Sequence, residues 1–163
     1  SNSISSGMVK PVNTVPVSSG GTSPETYFGS ARNELLANGK SGVQGVQTLT
    51  KPATFSISKL YLGGVWDFKS EYAQSQGPAT ITYKYSAQNV YFVASSAKGV
   101  NITVFIDGVP AGSQAGADIA SDGTGMIKEN RLYKLINSTS SGEHTLEIRI
   151  DSAGLDAYTF TFG

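Results

Sequence analysis

Few side chains in this chain are suited to chemistry, and they fall into three groups. The first is the single histidine, His144, which follows Gly142-Glu143 at the head of an alternating run. As a general base it would need an activated nucleophile in reach and a carboxylate to orient it. The Gly-x-Ser-x-Gly turn that presents such a serine does not occur in the sequence. His144 is therefore read as a rim residue at a strand start, and no catalytic residue is expected. The second group is Asp118 with Asp122-Gly123-Thr124-Gly125. A calcium loop needs oxygen ligands at alternate positions and a bidentate Glu at its close. Ala120 stands at the middle position and Glu129 misses the required spacing. Asp-Gly-x-Gly also makes an ordinary turn, because Asp caps locally and Gly accepts positive φ. No metal site is expected, and Asp118 and Asp122 are the candidates if a cation binds. The third group is aromatic. Tyr and Trp combine an apolar body with a polar handle, which suits stacking on a sugar ring. Trp66, Tyr72, Tyr91 and Tyr133, with Arg131 beside the last, are the candidate ligand-binding residues. Tyr91 and Tyr133 face outward if Phe92 and Leu132 point inward. Core packing competes for the same rings, and Trp66 after Gly63-Gly64 reads as half-buried core.

The elements that must position these residues are strands. From Arg131 to Gly163 three alternating runs are separated by two turns: Arg131–Ile136, His144–Asp151 and Asp156–Phe162. Leu146, Ile148 and Ile150 oppose Thr145, Glu147 and Arg149; Tyr158, Phe160 and Phe162 oppose Thr159 and Thr161. A period of two marks half-buried strands. The same pattern runs through Thr80–Tyr85, Asn89–Ala94 and Val100–Asp107, and Asp107-Gly108 is a hairpin dipeptide. Weaker strands are read at Val43–Leu49, Phe55–Leu62, Val65–Phe68, Glu71–Ala73 and Met126–Lys128, with Gly63-Gly64 as a break. Asn33–Leu36 makes at most one helical turn. Short strands with frequent turns and no long helix give an all-β fold, an antiparallel two-sheet β-sandwich of the jelly-roll type. Its expected core is Ile81, Phe92, Ile102, Val104, Ile106, Leu132, Leu146, Ile148, Phe160 and Phe162. Residues 1–23, rich in Ser, Gly and Pro, read as a linker or tail, and residues 24–163 as the sandwich domain.

Composition narrows the function. The 163 residues carry twelve basic and twelve acidic side chains, a net charge of zero that argues against nucleic acid as partner. There is no cysteine, so thiol redox chemistry and thiolate metal sites are excluded from this segment. No apolar run reaches the roughly 18 residues of a membrane span. No cofactor is expected. The sequon-like Asn101-Ile102-Thr103 and Asn137-Ser138-Thr139 fit strand sequence by chance. The first residue is not Met, and the chain is read as a domain of a longer protein.

Several segments together resemble a known family. Pro24-Glu25-Thr26-Tyr27-Phe28-Gly29-Ser30-Ala31-Arg32 resembles the stretch that follows the thioredoxin-like domain in DipZ-type membrane proteins. Leu62-Gly63-Gly64-Val65-Trp66 is similar to the family's Leu-x-Gly-x-Trp. Val104–Pro110, Asp118–Gly125, Arg131–Ile136 and Leu155–Gly163 resemble its later strands and long loop, in order. At Ala120 the chain departs from the family, which often has another Asp there. The resemblance implies a carbohydrate-binding-module-like β-sandwich at the C-terminal end of a membrane-anchored protein. That protein would join a CcdA-like electron-transfer domain to an extracytoplasmic thioredoxin-like domain. The implied role is a non-catalytic extracytoplasmic binding module in the cell envelope, taking a carbohydrate, with the upstream thioredoxin-like domain as partner in the same chain. The thiol–disulfide chemistry would belong to that upstream domain. A structural or protein-docking role, or an accessory sandwich of a carbohydrate-active enzyme, stands as the alternative.

Overall fold

The computed structural model describes residues 21–163. Most of the expected tail therefore lies outside the described residues. Ser23 is buried, its N–H donates to Ser86 C=O (2.8 Å), and its hydroxyl accepts from Ser86 N–H (2.9 Å).

The described part is all-β. In chain order the strands are β1 (Thr26–Tyr27), β2 (Gly45–Leu49), β3 (Leu60–Phe68), β4 (Ala73–Ser75), β5 (Ala79–Ser95), β6 (Val100–Ile106), β7 (Val109–Pro110), β8 (Thr124–Ile127), β9 (Arg131–Ile150) and β10 (Asp156–Phe162). One 3-10 turn, Gly112–Gln114, interrupts the loop before β8. All strand pairings are antiparallel.

Where two sheets are expected, the strands form one hydrogen-bonded sheet that rolls up on itself. Two long strands cause this. The first part of β5 pairs with β3, from Gly63↔Thr80 to Leu60↔Tyr83, and its second part pairs with β10, from Phe162↔Val90 to Asp156↔Ser95. β4 bridges β3 and β10, so β3, β4, β10 and β5 close a ring as in a barrel. β9 follows the other side of β5 along its whole length, and β6 carries the sheet on to β7 and β8.

Three expected breaks are not breaks. The Ser140-Ser141-Gly142 turn lies inside β9, which does not reverse there. Its register against β5 slips between Ala87↔Gly142 and Asn89↔Asn137, so the small polar residues form a bulge. The gap expected between Tyr85 and Asn89 is likewise inside β5. Gly63-Gly64 lies inside β3, at the point where the strand leaves β5 and joins β4. Gly64 has φ +96°, a conformation glycine adopts without strain. The expected Asn33–Leu36 turn is a single hydrogen-bonded turn, Leu36 N–H to Asn33 C=O (3.1 Å).

Alternation sets the core. Ile81, Tyr83, Tyr85, Val90, Phe92 and Ala94 of β5 are buried, as are Ile102, Val104, Leu146, Ile148, Phe160 and Phe162. Phe28, Phe92 and Phe160 pack with ring centroids 5.1–5.8 Å apart, and Tyr83 stacks on Phe162 at 5.0 Å. Each such side chain, fully buried, contributes about 1.5–3 kcal/mol. Leu132 corrects the expected core: it is only half-buried, and Tyr133 and Leu135 take the inward phase. The register shift at Val90/Tyr91 leaves Leu135 as an extra residue and inverts the phase, so Leu135 and Ile136 are both buried.

Candidate functional site

The outer face of the second half of β5 carries the candidate site. Phe160, Phe92 and Tyr133 form an inward cross-strand row. Side chains alternate across the pleat, so the neighbouring rows point outward. One of these is Tyr27, Thr159, Val93 and Leu132, in which Thr159 is covered; the next is Thr161, Tyr91 and Lys134. Tyr91 thus stands half-buried between a hydroxyl and an ammonium. Tyr158, at the bulge between Ala157 and Thr159, lies against Tyr72 with ring centroids 5.1 Å apart.

Polar groups surround these rings. The Tyr27 hydroxyl donates to Glu25 Oε1 (2.9 Å), and the Arg32 guanidinium lies 3.9 Å above the Tyr27 ring. The Thr161 hydroxyl donates to Glu25 Oε2 (3.4 Å), and Gln74 Nε2 donates to Asp156 Oδ1 (2.8 Å). Partial burial, followed by the Glu25 contact, pushes the Tyr27 phenol up; burial does the same for Tyr158 against an opposing hydrogen bond from Ser95. Both phenols stay protonated at neutral pH and can donate.

Of the five residues singled out from sequence, Tyr91 and Tyr72 belong to this face, Tyr91 in the row with Thr161 and Lys134 and Tyr72 against Tyr158. Trp66 is 0% exposed, with its indole N–H donating to Gly63 C=O (3.0 Å); it is fully core rather than half-buried. The expected outward Tyr133 is corrected as well, since it is 1% exposed. Its hydroxyl accepts from Lys128 N–H (2.9 Å) and donates to Glu129 C=O (2.7 Å), tying down the connection between β8 and β9. Arg131 covers that ring at 3.9 Å and bonds Asp118 Oδ1 (2.9 Å). Tyr27 and Tyr158 were not singled out from sequence.

The acidic loop has a structural use. Asp118 Oδ2 also accepts from Lys134 N–H (2.7 Å), and Asp122 Oδ1 accepts from Thr124 N–H and hydroxyl (3.0 and 2.7 Å). Among the described residues, no three His, Cys, Asp or Glu side chains converge as metal ligands.

His144 Nδ1 is 2.6 Å from Asp107 Oδ2, and Asp107 Oδ1 accepts from Thr145 N–H (2.8 Å). Desolvation pushes the Asp107 carboxyl up, but the Thr145 and His144 contacts outweigh it and hold it below the ordinary range. Asp107 has φ +53° and Gly108 φ +86°, so this clamp fixes the β6–β7 hairpin. The His–Asp pair has the form of two members of a triad. Among the described residues no hydroxyl nucleophile hydrogen-bonds the imidazole. Tyr85 packs 6.0 Å from it, and burial, reinforced by Asp107, pushes that phenol well above its ordinary value.

A second surface feature is a hollow of about 540 Å³ lined by Lys51, Gly63, Gly64, Pro78, Thr80 and Arg149 among others.

Comparison with known proteins places the chain. It is 28% identical over 141 residues to Protein DipZ of Mycobacterium bovis and, equally, to Protein DipZ of Mycobacterium tuberculosis. The match covers 86% of this chain and 18% of the length of each relative. Among solved structures, a family two carbohydrate esterase from Cellvibrio japonicus superposes with a TM-score of 0.44 at 14% identity. That match covers 85% of this chain and 33% of the esterase chain. No helix among the described residues is long and apolar enough to cross a membrane. The model of the thioredoxin like C-terminal domain matches residues 23–163, and the chain belongs to that family.

Proposed function

We propose that this domain is a non-catalytic, extracytoplasmic carbohydrate-binding module of a DipZ-type membrane-anchored redox protein. Its outer tyrosine face would hold a glycan of the cell envelope and so place the upstream thioredoxin-like domain near its substrates. In this reading the rolled sheet is a carbohydrate-binding jelly roll, and residues 1–23 link it to the preceding domain. The observation that carries the reading is Tyr91, half-buried between Thr161 and Lys134, on a face that also presents Tyr27, Tyr72 and Tyr158. A pyranose has an apolar face and a rim of hydroxyls. A phenol ring matches the first, and Thr161, Lys134, Gln74 and Glu25 match the second. Tyr91, Tyr27, Tyr158, Thr161, Lys134 and Gln74 lie on strands, which hold such a constellation more rigidly than loops do.

Affinity electrophoresis on cell-wall polysaccharides tests the reading. Retardation is expected for the chain as it stands. A Tyr anchor typically costs more than about 1 kcal/mol on truncation, so Tyr91→Ala should weaken binding roughly five- to tenfold. No retardation on any glycan, or retardation indifferent to Tyr91→Ala and Tyr72→Ala, refutes it.

A further inference from the structure

The hollow on the first half of β5 has a floor, a charge and a free binding group. Gly63, Thr80 and Arg149 form one outward cross-strand row. Gly63 and Gly64 lie at its base, where neighbouring groups leave no room for a side chain. A Cβ on Gly63 would come within 2.4 Å of Thr80 Oγ1, and one on Gly64 within 3.0 Å of Pro78 O. The lining alternates apolar surface from Pro78, Ala79 and Ile150 with the Thr50 and Thr80 hydroxyls.

One end is cationic. Lys51 Nζ and Arg149 Nε both bond the same oxygen, Glu147 Oε2, at 3.2 and 3.3 Å. Two cations share one carboxylate, which leaves an excess of one positive charge. Among the described residues neither has a second acidic partner. The Arg149 guanidinium carbon lies 4.1 Å from the centroid of the Phe105 ring. Its Nε is engaged, while its two terminal nitrogens make no hydrogen bond to the described residues. A fixed, planar guanidinium with both terminal nitrogens free is suited to bidentate capture of a carboxylate.

We infer that this hollow binds the carboxylate of an acidic sugar, with Arg149 and Lys51 as the anion-binding pair and Thr80 facing the ring. The sugar ring is taken from the glycan reading above, on which this inference rests. The carboxylate follows from the unbalanced charge and the free end of Arg149. One net positive charge matches a monoanion.

Amide chemical shifts of the isotope-labelled 163-residue chain, titrated with methyl glucuronide, methyl glucoside and acetate, test the inference. The glucuronide should shift the amides of Lys51, Gly63, Gly64 and Thr80 saturably, and the uncharged glucoside should leave them unmoved. Arg149→Gln should weaken the glucuronide about tenfold, and Lys51→Gln, further from any structural role, several-fold. Dispersed spectra of both variants establish that they are folded. No glucuronide shift at these amides overturns the inference, and so does an equal response to glucoside. Acetate binding as tightly as glucuronide overturns the sugar assignment. If Tyr91 amides respond to neutral glycans while the hollow stays silent, this inference alone fails. If the hollow responds to glucuronide while no glycan moves the tyrosine face, the inference holds and the tyrosine-face reading fails.

Discussion

Trp66→Phe separates core from recognition. The ring is 0% exposed, and its N–H donates to Gly63 C=O at 3.0 Å inside β3. Phenylalanine keeps an aromatic ring but removes the donor from a buried carbonyl, a loss of about 1–3 kcal/mol. The smaller ring also leaves a void, worth roughly another 1 kcal/mol if the site relaxes in part. The sum, about 2–4 kcal/mol, is a large part of the roughly 5–15 kcal/mol that holds a domain folded. With a urea slope of about 1–3 kcal/mol per molar, the midpoint should fall by roughly 1–2 M, read by far-ultraviolet circular dichroism. Glycan retardation, measured where the variant is still folded, should not change. Trp66 is the one tryptophan of the chain, so the emission of the parent protein has a single source. Saturating glycan should leave that emission where it is. An unchanged urea midpoint, or lost retardation in folded Trp66→Phe protein, would sink the assignment of Trp66 to the core.

Two further outcomes follow from contacts elsewhere in the fold. Tyr133→Phe removes the hydroxyl that joins Lys128 N–H to Glu129 C=O, and should lower stability by about 1–3 kcal/mol without changing glycan retardation; a thermal melt that does not move refutes the tie. Desolvation pushes the Asp118 carboxyl up, but Arg131, the Lys134 N–H and the cationic charge of both hold it below its ordinary 3.8. Its contribution to stability is therefore present above 3.8 and is lost as the pH falls through the lower folded value, because the unfolded state binds the proton first. Urea midpoints should drop with pH in that acidic window, and Asp118→Asn should drop less steeply; parallel curves for the two proteins would count against the contact.

Period-two alternation was enough to place most strands and most of the core, because burial on one face of a pleat leaves its mark on every second residue. Phase was harder. In Arg131–Ile136 either set of alternate residues reads as apolar, and the bulged Leu135 puts Tyr133 inside, a long-range pairing that no local window contains. Tyr158 alternates with Phe160 and Phe162 and so reads as inward, yet the bulge at Ala157/Thr159 turns it out beside Tyr72. Ser140-Ser141-Gly142 and Gly63-Gly64 show the same limit from the other side. Glycine and serine mark backbone irregularity, which in one sequence ends a strand and in another bends it. The hollow left no sequence signal because Lys51, Gly63, Pro78 and Arg149 come from separate segments, joined only when β3, β5 and β9 pair.

The two candidate surfaces draw on the same pair of strands and yet are far apart. Thr80 and Tyr91 both lie in β5, eleven residues apart. At about 3.3 Å per residue that is up to roughly 36 Å along a straight strand, less where the bulges bend it. A single sugar ring therefore cannot touch both, and substitutions at Tyr91 and Arg149 share no contact through which to couple. A polymer can touch both, and then its two contacts add through effective concentration rather than through any rearrangement of the sheet. Weak recognition at each surface is then compatible with firm attachment to a repeating polysaccharide. On the proposed glycan-binding reading, a chain with zero net charge draws little long-range attraction from a charged wall, so attachment would depend on these local contacts.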